Sequence, residues 1–68
     1  MNLEDKNNIV NQVRDLLMNE GLSQEEAVEA ILDADVIHMI HWDDMYEIGR
    51  TAEDYAAEAY EFWKAKQD

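Results

Sequence analysis

Two histidines three residues apart, His38 and His41, stand among Asp35, Asp43 and Asp44. On a helix that spacing puts both imidazoles on one side, where two nitrogens and a carboxylate can enclose a divalent cation. The pattern stops short of the His-Glu-x-x-His metalloprotease signature, and the chain has no cysteine to complete a zinc set. We therefore expect no metal, and read the pair as surface or partly buried histidines. Asp33, Asp35 and Asp44 have the first, third and twelfth spacing of a calcium loop. Ile37 falls at its fifth position, however, and His38 at the sixth, where the turn needs glycine. The adjacent pairs Asp43-Asp44 and Glu25-Glu26 offer carboxylates for proton transfer, but neighbours in sequence diverge on a helix and neither pair has a nucleophile beside it. Ser23, three residues before Glu26, suits a helix cap better than a nucleophile, and no glycine-rich phosphate loop is present. The expectation is a protein without catalysis or cofactor.

What remains is electrostatic chemistry. Seventeen acidic residues face five basic ones, for a formal charge of −12. Between Asp15 and Gly49 there are ten carboxylates and no lysine or arginine. Glu25, Glu29 and Asp33 recur at steps of four, which holds like charges about 5–6 Å apart on a helix and costs roughly 0.2–0.5 kcal/mol per pair. Selection for stability alone would intersperse lysines. Asp54, Glu58 and Glu61 form a second acidic line. Such rows approximate the charge of a nucleic-acid strand and would compete for Lys and Arg grooves that hold DNA or RNA. The expected partner-binding set is Glu25, Glu29, Asp33, Asp35, Asp43, Asp44 and Glu47, with Trp42 and Tyr46 as aromatic anchors inside the acidic rim. The plainer alternatives are a solvated face that serves solubility and aromatic residues that close the end of a bundle. Direct nucleic acid and anionic lipid are disfavoured, because the five cations, Lys6, Arg14, Arg50, Lys64 and Lys66, are scattered.

The elements that position these groups are helical. Ile9, Val10, Val13, Leu16 and Leu17 step by three and four ahead of Gly21, which predicts a first helix over residues 5–19, with Asn2 and Asp5 able to cap an earlier start. Ser23 with Glu26 is a capping box that opens a second helix at Gln24 and ends it near Asp33 or Ala34. Ala27, Val28, Ile31 and Leu32 form its buried side, and Leu22 packs back on Ala27. Residues 36–42 permit a short strand by β-branching but have no second strand to pair with. They are read as a third helix, capped by Asp33 or Asp35, with Ile37, Met39 and Ile40 inward. It either continues through Met45 and Ile48 to Gly49 or breaks near Trp42. Thr51 with Asp54 opens a fourth helix, Ala52 to about Lys66, whose stripe is Ala52, Tyr55, Ala56, Ala59, Phe62 and Trp63. The expected architecture is all-α: one domain, residues 1–68, of three or four short helices in a bundle.

A chain of 68 residues buries only about 60% of its unfolded surface, so stability is marginal. Self-repulsion predicts stabilisation by salt or mild acidification, provided that no carboxylate is strongly paired. The absence of cysteine, and of a basic-then-apolar leader after Met1, leads to the expectation of a cytoplasmic protein in a reducing compartment.

The segment Asn19-Glu20-Gly21-Leu22-Ser23-Gln24-Glu25-Glu26-Ala27 resembles the first loop and second helix of ubiquitin-associated domains, with Glu20 where that family has methionine and Leu22 where it has an aromatic residue. That departure removes part of the family's binding loop, and its function is not carried over. At class level the size, acidity and lack of catalytic groups are similar to small host-takeover proteins of bacteriophages, among them DNA-mimicking anti-CRISPR and anti-restriction proteins. The resemblance implies an inhibitor that occupies a basic, nucleic-acid-binding protein surface in a host cytoplasm. The rival expectation is a helical adaptor or regulatory protein that binds through an apolar patch around Trp42, Met45 and Tyr46, or pairs with a second copy of itself.

Overall fold

Asn2 sets the start of α1 (Leu3–Asn19): its side chain accepts a hydrogen bond from the Asp5 amide at 2.8 Å, relieving one of the orphan donors of the first turn. At the far end Gly21, at φ +106°, lets the chain turn back while its own amide donates to the Met18 carbonyl and that of Leu22 donates to Leu17. This paired closure is a Schellman turn, and it delivers Leu22 into the core. The capping box then starts α2 (Gln24–Asp33): the Ser23 amide donates to Glu26 Oε1 at 2.8 Å and the Glu26 amide donates to Ser23 Oγ at 3.1 Å. Helices α3 (Val36–Met45) and α4 (Ala52–Gln67) follow, and Thr51 and Asp54 exchange the corresponding bonds at the start of α4. The computed structural model describes residues 1–67.

One apolar cluster joins all four helices. Val13 and Leu17 come from α1, Ala27, Ala30 and Ile31 from α2, Val36 and Ile40 from α3, and Ala52, Tyr55, Ala56 and Ala59 from α4. Alanine supplies five of these positions, so the α2 and α4 backbones lie close to their neighbours and a narrow stripe suffices to bury each helix. That narrowness corrects the expected inner faces. Val28 and Leu32 of α2 are exposed, because Ala30 takes the inward position beside Ala27 and Ile31. Phe62 of α4 is likewise exposed, while Trp63 is only half-buried beside Tyr60.

The ends of α3 differ from expectation. Asp35 occupies the position before the helix but in the left-handed conformation, φ 55°, and makes no side-chain cap; instead it terminates α2, its amide donating to the Leu32 carbonyl. The helix also stops before Gly49. Glu47, at φ 54°, takes the left-handed place that glycine usually fills. Its amide donates to the Asp44 carbonyl, and the Ile48 amide donates to Asp43 at 2.8 Å. Two non-glycine residues in that region bracket α3, one at each end, at a cost of about 1–2 kcal/mol each.

Candidate functional site

The six apolar residues of α3, Val36, Ile37, Met39, Ile40, Trp42 and Met45, are spread around the helix rather than gathered on one side. Its neighbours α1, α2 and α4 cover only one. Val36, Ile40 and Asp43, at steps of four and three, form the buried face. Ile37, with 56% of its surface exposed, lies on the flank of this face and not within it, contrary to the inward position expected from sequence.

Asp43 is the unexpected member of the buried face. It is 2% exposed, and Arg50 clasps it with both arms of the guanidinium, Nε to Oδ2 at 2.7 Å and Nη2 to Oδ1 at 2.9 Å. The Tyr55 hydroxyl donates to Oδ2 at 2.6 Å, and Arg50 also lies against the Tyr55 ring, 5.8 Å from its centroid. The Arg50 hydrogen bonds hold the Asp43 carboxyl below its ordinary range against the opposing effect of burial, and the same pairing raises Arg50. Burial, reinforced by the neighbouring carboxylate, pushes the Tyr55 hydroxyl up to about 12. The triad spans the α3–α4 connection and ties α4 to α3. It corrects the assignment of Asp43 to a partner-facing row, because its oxygens are spent inside the molecule.

The rest of the acidic set is divided. Asp44 also turns toward α1, where the Met1 ammonium donates to it at 3.1 Å and Lys6 Nζ lies 3.7 Å away; hydrogen bonding from the terminal ammonium lowers its carboxyl. Lys66, in the last turn of α4, reaches Asp33 and Glu29 of α2, the latter at 3.2 Å, and pairing with Asp33 first and Glu29 second raises its ammonium. The cation-free stretch is thus served by cations that fold back from outside it. Glu25 is exposed, as are Asp35 and Glu47 at the two ends of α3, and none of the three has a cation partner among the described residues. The proposed row is therefore not one continuous free surface: Glu25, Asp35 and Glu47 stay open, Glu29, Asp33 and Asp44 are paired at the surface, and Asp43 is buried.

With Asp43 buried and Asp44 turned aside to Met1 and Lys6 at the surface, α3 presents Ile37, His38, His41, Trp42, Met45 and Tyr46 outward, half a helical cylinder without an acidic side chain. Trp42 is 48% exposed, Met45 58% and Tyr46 56%. The Trp42 and Tyr46 rings pack at 4.6 Å between centroids, and His38 adds a third ring 6.4 Å from Trp42. Ile37 carries the surface across to α2, where it borders a hollow with Val28 and Leu32. Trp42 and Tyr46 stand together as the sequence suggested. Met45 joins them, as in the apolar patch expected from the sequence. Ile37, His38 and His41 were missed as their companions; the available signal was that Asp43 shares the Val36 and Ile40 stripe, which forces the others out.

His41 Nδ1 lies 3.2 Å from Lys6 Nζ, and Asp43 is withdrawn from both histidines. Among the described residues no group of three His, Asp or Glu side chains comes together as a cation would require, and no helix is long and apolar enough to cross a membrane. Comparisons with protein-family models, with characterised proteins and with solved structures find no match to this chain.

Proposed function

We propose that this chain is a non-catalytic binding protein that docks a partner on the outer face of α3, the adaptor reading of the two raised by the sequence. One observation carries it: in a molecule of net charge −12, the face built from Ile37, His38, His41, Trp42, Met45 and Tyr46 is free of carboxylates and largely apolar. Scattered exposed apolar residues are ordinary, but a contiguous patch with aromatic residues at its centre and charge only at its edge has the composition of an interface core and rim. Asp35 and Glu47, at the two ends of the helix, supply a negative rim. The fitting partner is a protein with an apolar depression bordered by Lys or Arg, approached faster at low ionic strength.

The test is retention of a partner on immobilised protein at rising salt. Trp42→Ala and Tyr46→Ala should each weaken retention at least tenfold, while Lys at Glu25, Glu29 or Asp33 changes the rate of capture more than the final affinity. Retention that survives both aromatic substitutions contradicts the proposal. Sedimentation of the protein alone separates a foreign partner from a second copy.

A second reading is occupation of a basic nucleic-acid-binding surface, in the manner of a DNA-mimicking inhibitor. It is favoured by the outer side of α4, where Glu53, Asp54, Glu58 and Glu61 stand without a cation partner among the described residues. On this reading binding falls steeply between 0.1 and about 1 M salt, as the screening length shrinks from about 10 to about 3 Å. Lys66→Glu, which releases Glu29 and Asp33, then strengthens binding. Salt-insensitive affinity excludes it.

A further inference from the structure

On the flank of α1 away from the α3 patch lies a second concave surface, an open groove of about 310 Å³ between the end of α1 and the middle of α4. Leu16 and Tyr60 form apolar walls, and Ala57 leaves a notch where a longer side chain would fill the space. Glu20 stands on one lip, and Glu53 and Glu61 stand on α4 before and after the notch. None of these three carboxylates is paired with a cation among the described residues.

The residues Glu53, Ala57 and Glu61 step by four along one ridge of α4, so the ridge reads acid, gap, acid over about 12 Å of helix axis. A second helix laid against such a ridge offers its own side chains at the same pitch. An apolar residue on it enters the gap between Leu16 and Tyr60, and the residues one turn before and one turn after it, about 11–12 Å apart, arrive opposite Glu53 and Glu61. Apolar contact alone would leave the flanking glutamates to be desolvated without compensation, and cations alone would leave the notch empty.

We propose that this groove is a docking site for a helical segment of a partner protein with the pattern basic, apolar, basic at four-residue steps, Lys or Arg on either side of a Leu, Met or Phe. The site is independent of the α3 face. The groove uses Leu16 and Glu20 of α1, whereas the α3 patch continues over Val10 and Arg14, which project from another side of the same helix. Both can be filled at once, so the chain has the geometry to hold two segments together.

The experiment is a titration of the isotope-labelled whole chain with two synthetic helical peptides of equal composition, followed by amide chemical shifts. One places Lys, Leu and Lys at four-residue steps; the other moves both lysines to the face opposite the leucine. The first should shift Glu53, Ala57, Tyr60 and Glu61 and bind at least tenfold more tightly than the second. Ala57→Leu, at an exposed position that leaves the core intact, should weaken it tenfold or more; Glu53→Gln and Glu61→Gln should each weaken it several-fold, and Trp42→Ala should leave it unchanged. Equal binding of the two peptides, shifts confined to α3, undiminished binding by Ala57→Leu, or no shift at millimolar peptide each overturns the proposal.

Discussion

Helices α3 and α4 pack on the same core and distribute their charge in opposite ways. In α4 small apolar residues and one tyrosine face inward, and the glutamates face water, the arrangement that burial preferences dictate for a surface helix. In α3 Asp43 turns into the body of the molecule, where Arg50 and Tyr55 receive it, Asp44 turns aside to Lys6 and the terminal ammonium at the surface, and Ile37, Trp42, Met45 and Tyr46 are left outside. Burying a charged pair contributes little net stability, because desolvation offsets most of the attraction. What the inversion does produce is an uncharged surface in an otherwise acidic molecule, held by a connection fixed through the Asp43 triad.

The largest expected effect separates the two sides of α3. Ile40→Ala, in the core, should cost about 2–4 kcal/mol in denaturant unfolding, whereas Ile37→Ala, on the outer face, should stay within about 0.5 kcal/mol. Equal losses would mean that the outer face is structural and the contrast with α4 false.

Next comes the inward charge. Asp43→Asn should cost about 2–3 kcal/mol near neutral pH, since Arg50 and Tyr55 lose the anion they share. Its pH dependence has a definite sign. The native carboxyl titrates below the ordinary 3.8, so its contribution is complete above that value and disappears as pH falls through the lower native one. Acidification therefore relieves general repulsion only until Asp43 protonates, and the gap between wild type and Asp43→Asn should close below about pH 4 in urea titrations. A gap independent of pH would remove the ion pair from the account.

Tyr55 provides the alkaline counterpart. Its protonated form is favoured by the fold, so stability should be complete below pH 10 and decline as pH rises from 10 toward 12. Tyr55→Phe should cost about 1.5 kcal/mol at neutral pH and lose that tyrosine's share of the alkaline decline, followed by thermal melts. The smallest effect concerns the end of α3: Glu47→Gly should raise stability by about 0.5–1 kcal/mol, because glycine accepts φ 54° without strain. A loss there would show that the Glu47 side chain has a partner of its own.

The helices themselves were legible because their signals are local. Asn2, the Ser23 and Glu26 box, Gly21, and Thr51 with Asp54 each state a boundary within a few residues, and all four recur in the structure. The end of α3 was not, since Glu47 does a glycine's work and nothing in its chemistry announces it. The acidic rows were legible as composition and misleading as surface. Like charges at steps of four on α2 look unsupported until α4 folds back and brings Lys66 beside Glu29 and Asp33, more than thirty residues away in sequence. Asp43 was likewise read by its charge, although its place in the Val36 and Ile40 stripe carried the better information.

The contrast between the helices is tested most directly by photocrosslinking, with benzoylphenylalanine placed singly at Met45, on the outer face of α3, or at Glu58, on the acidic side of α4. The account predicts that the Met45 probe forms a covalent adduct with the partner and the Glu58 probe does not. Adducts from Glu58 with none from Met45 would contradict it and return the function to the carboxylates.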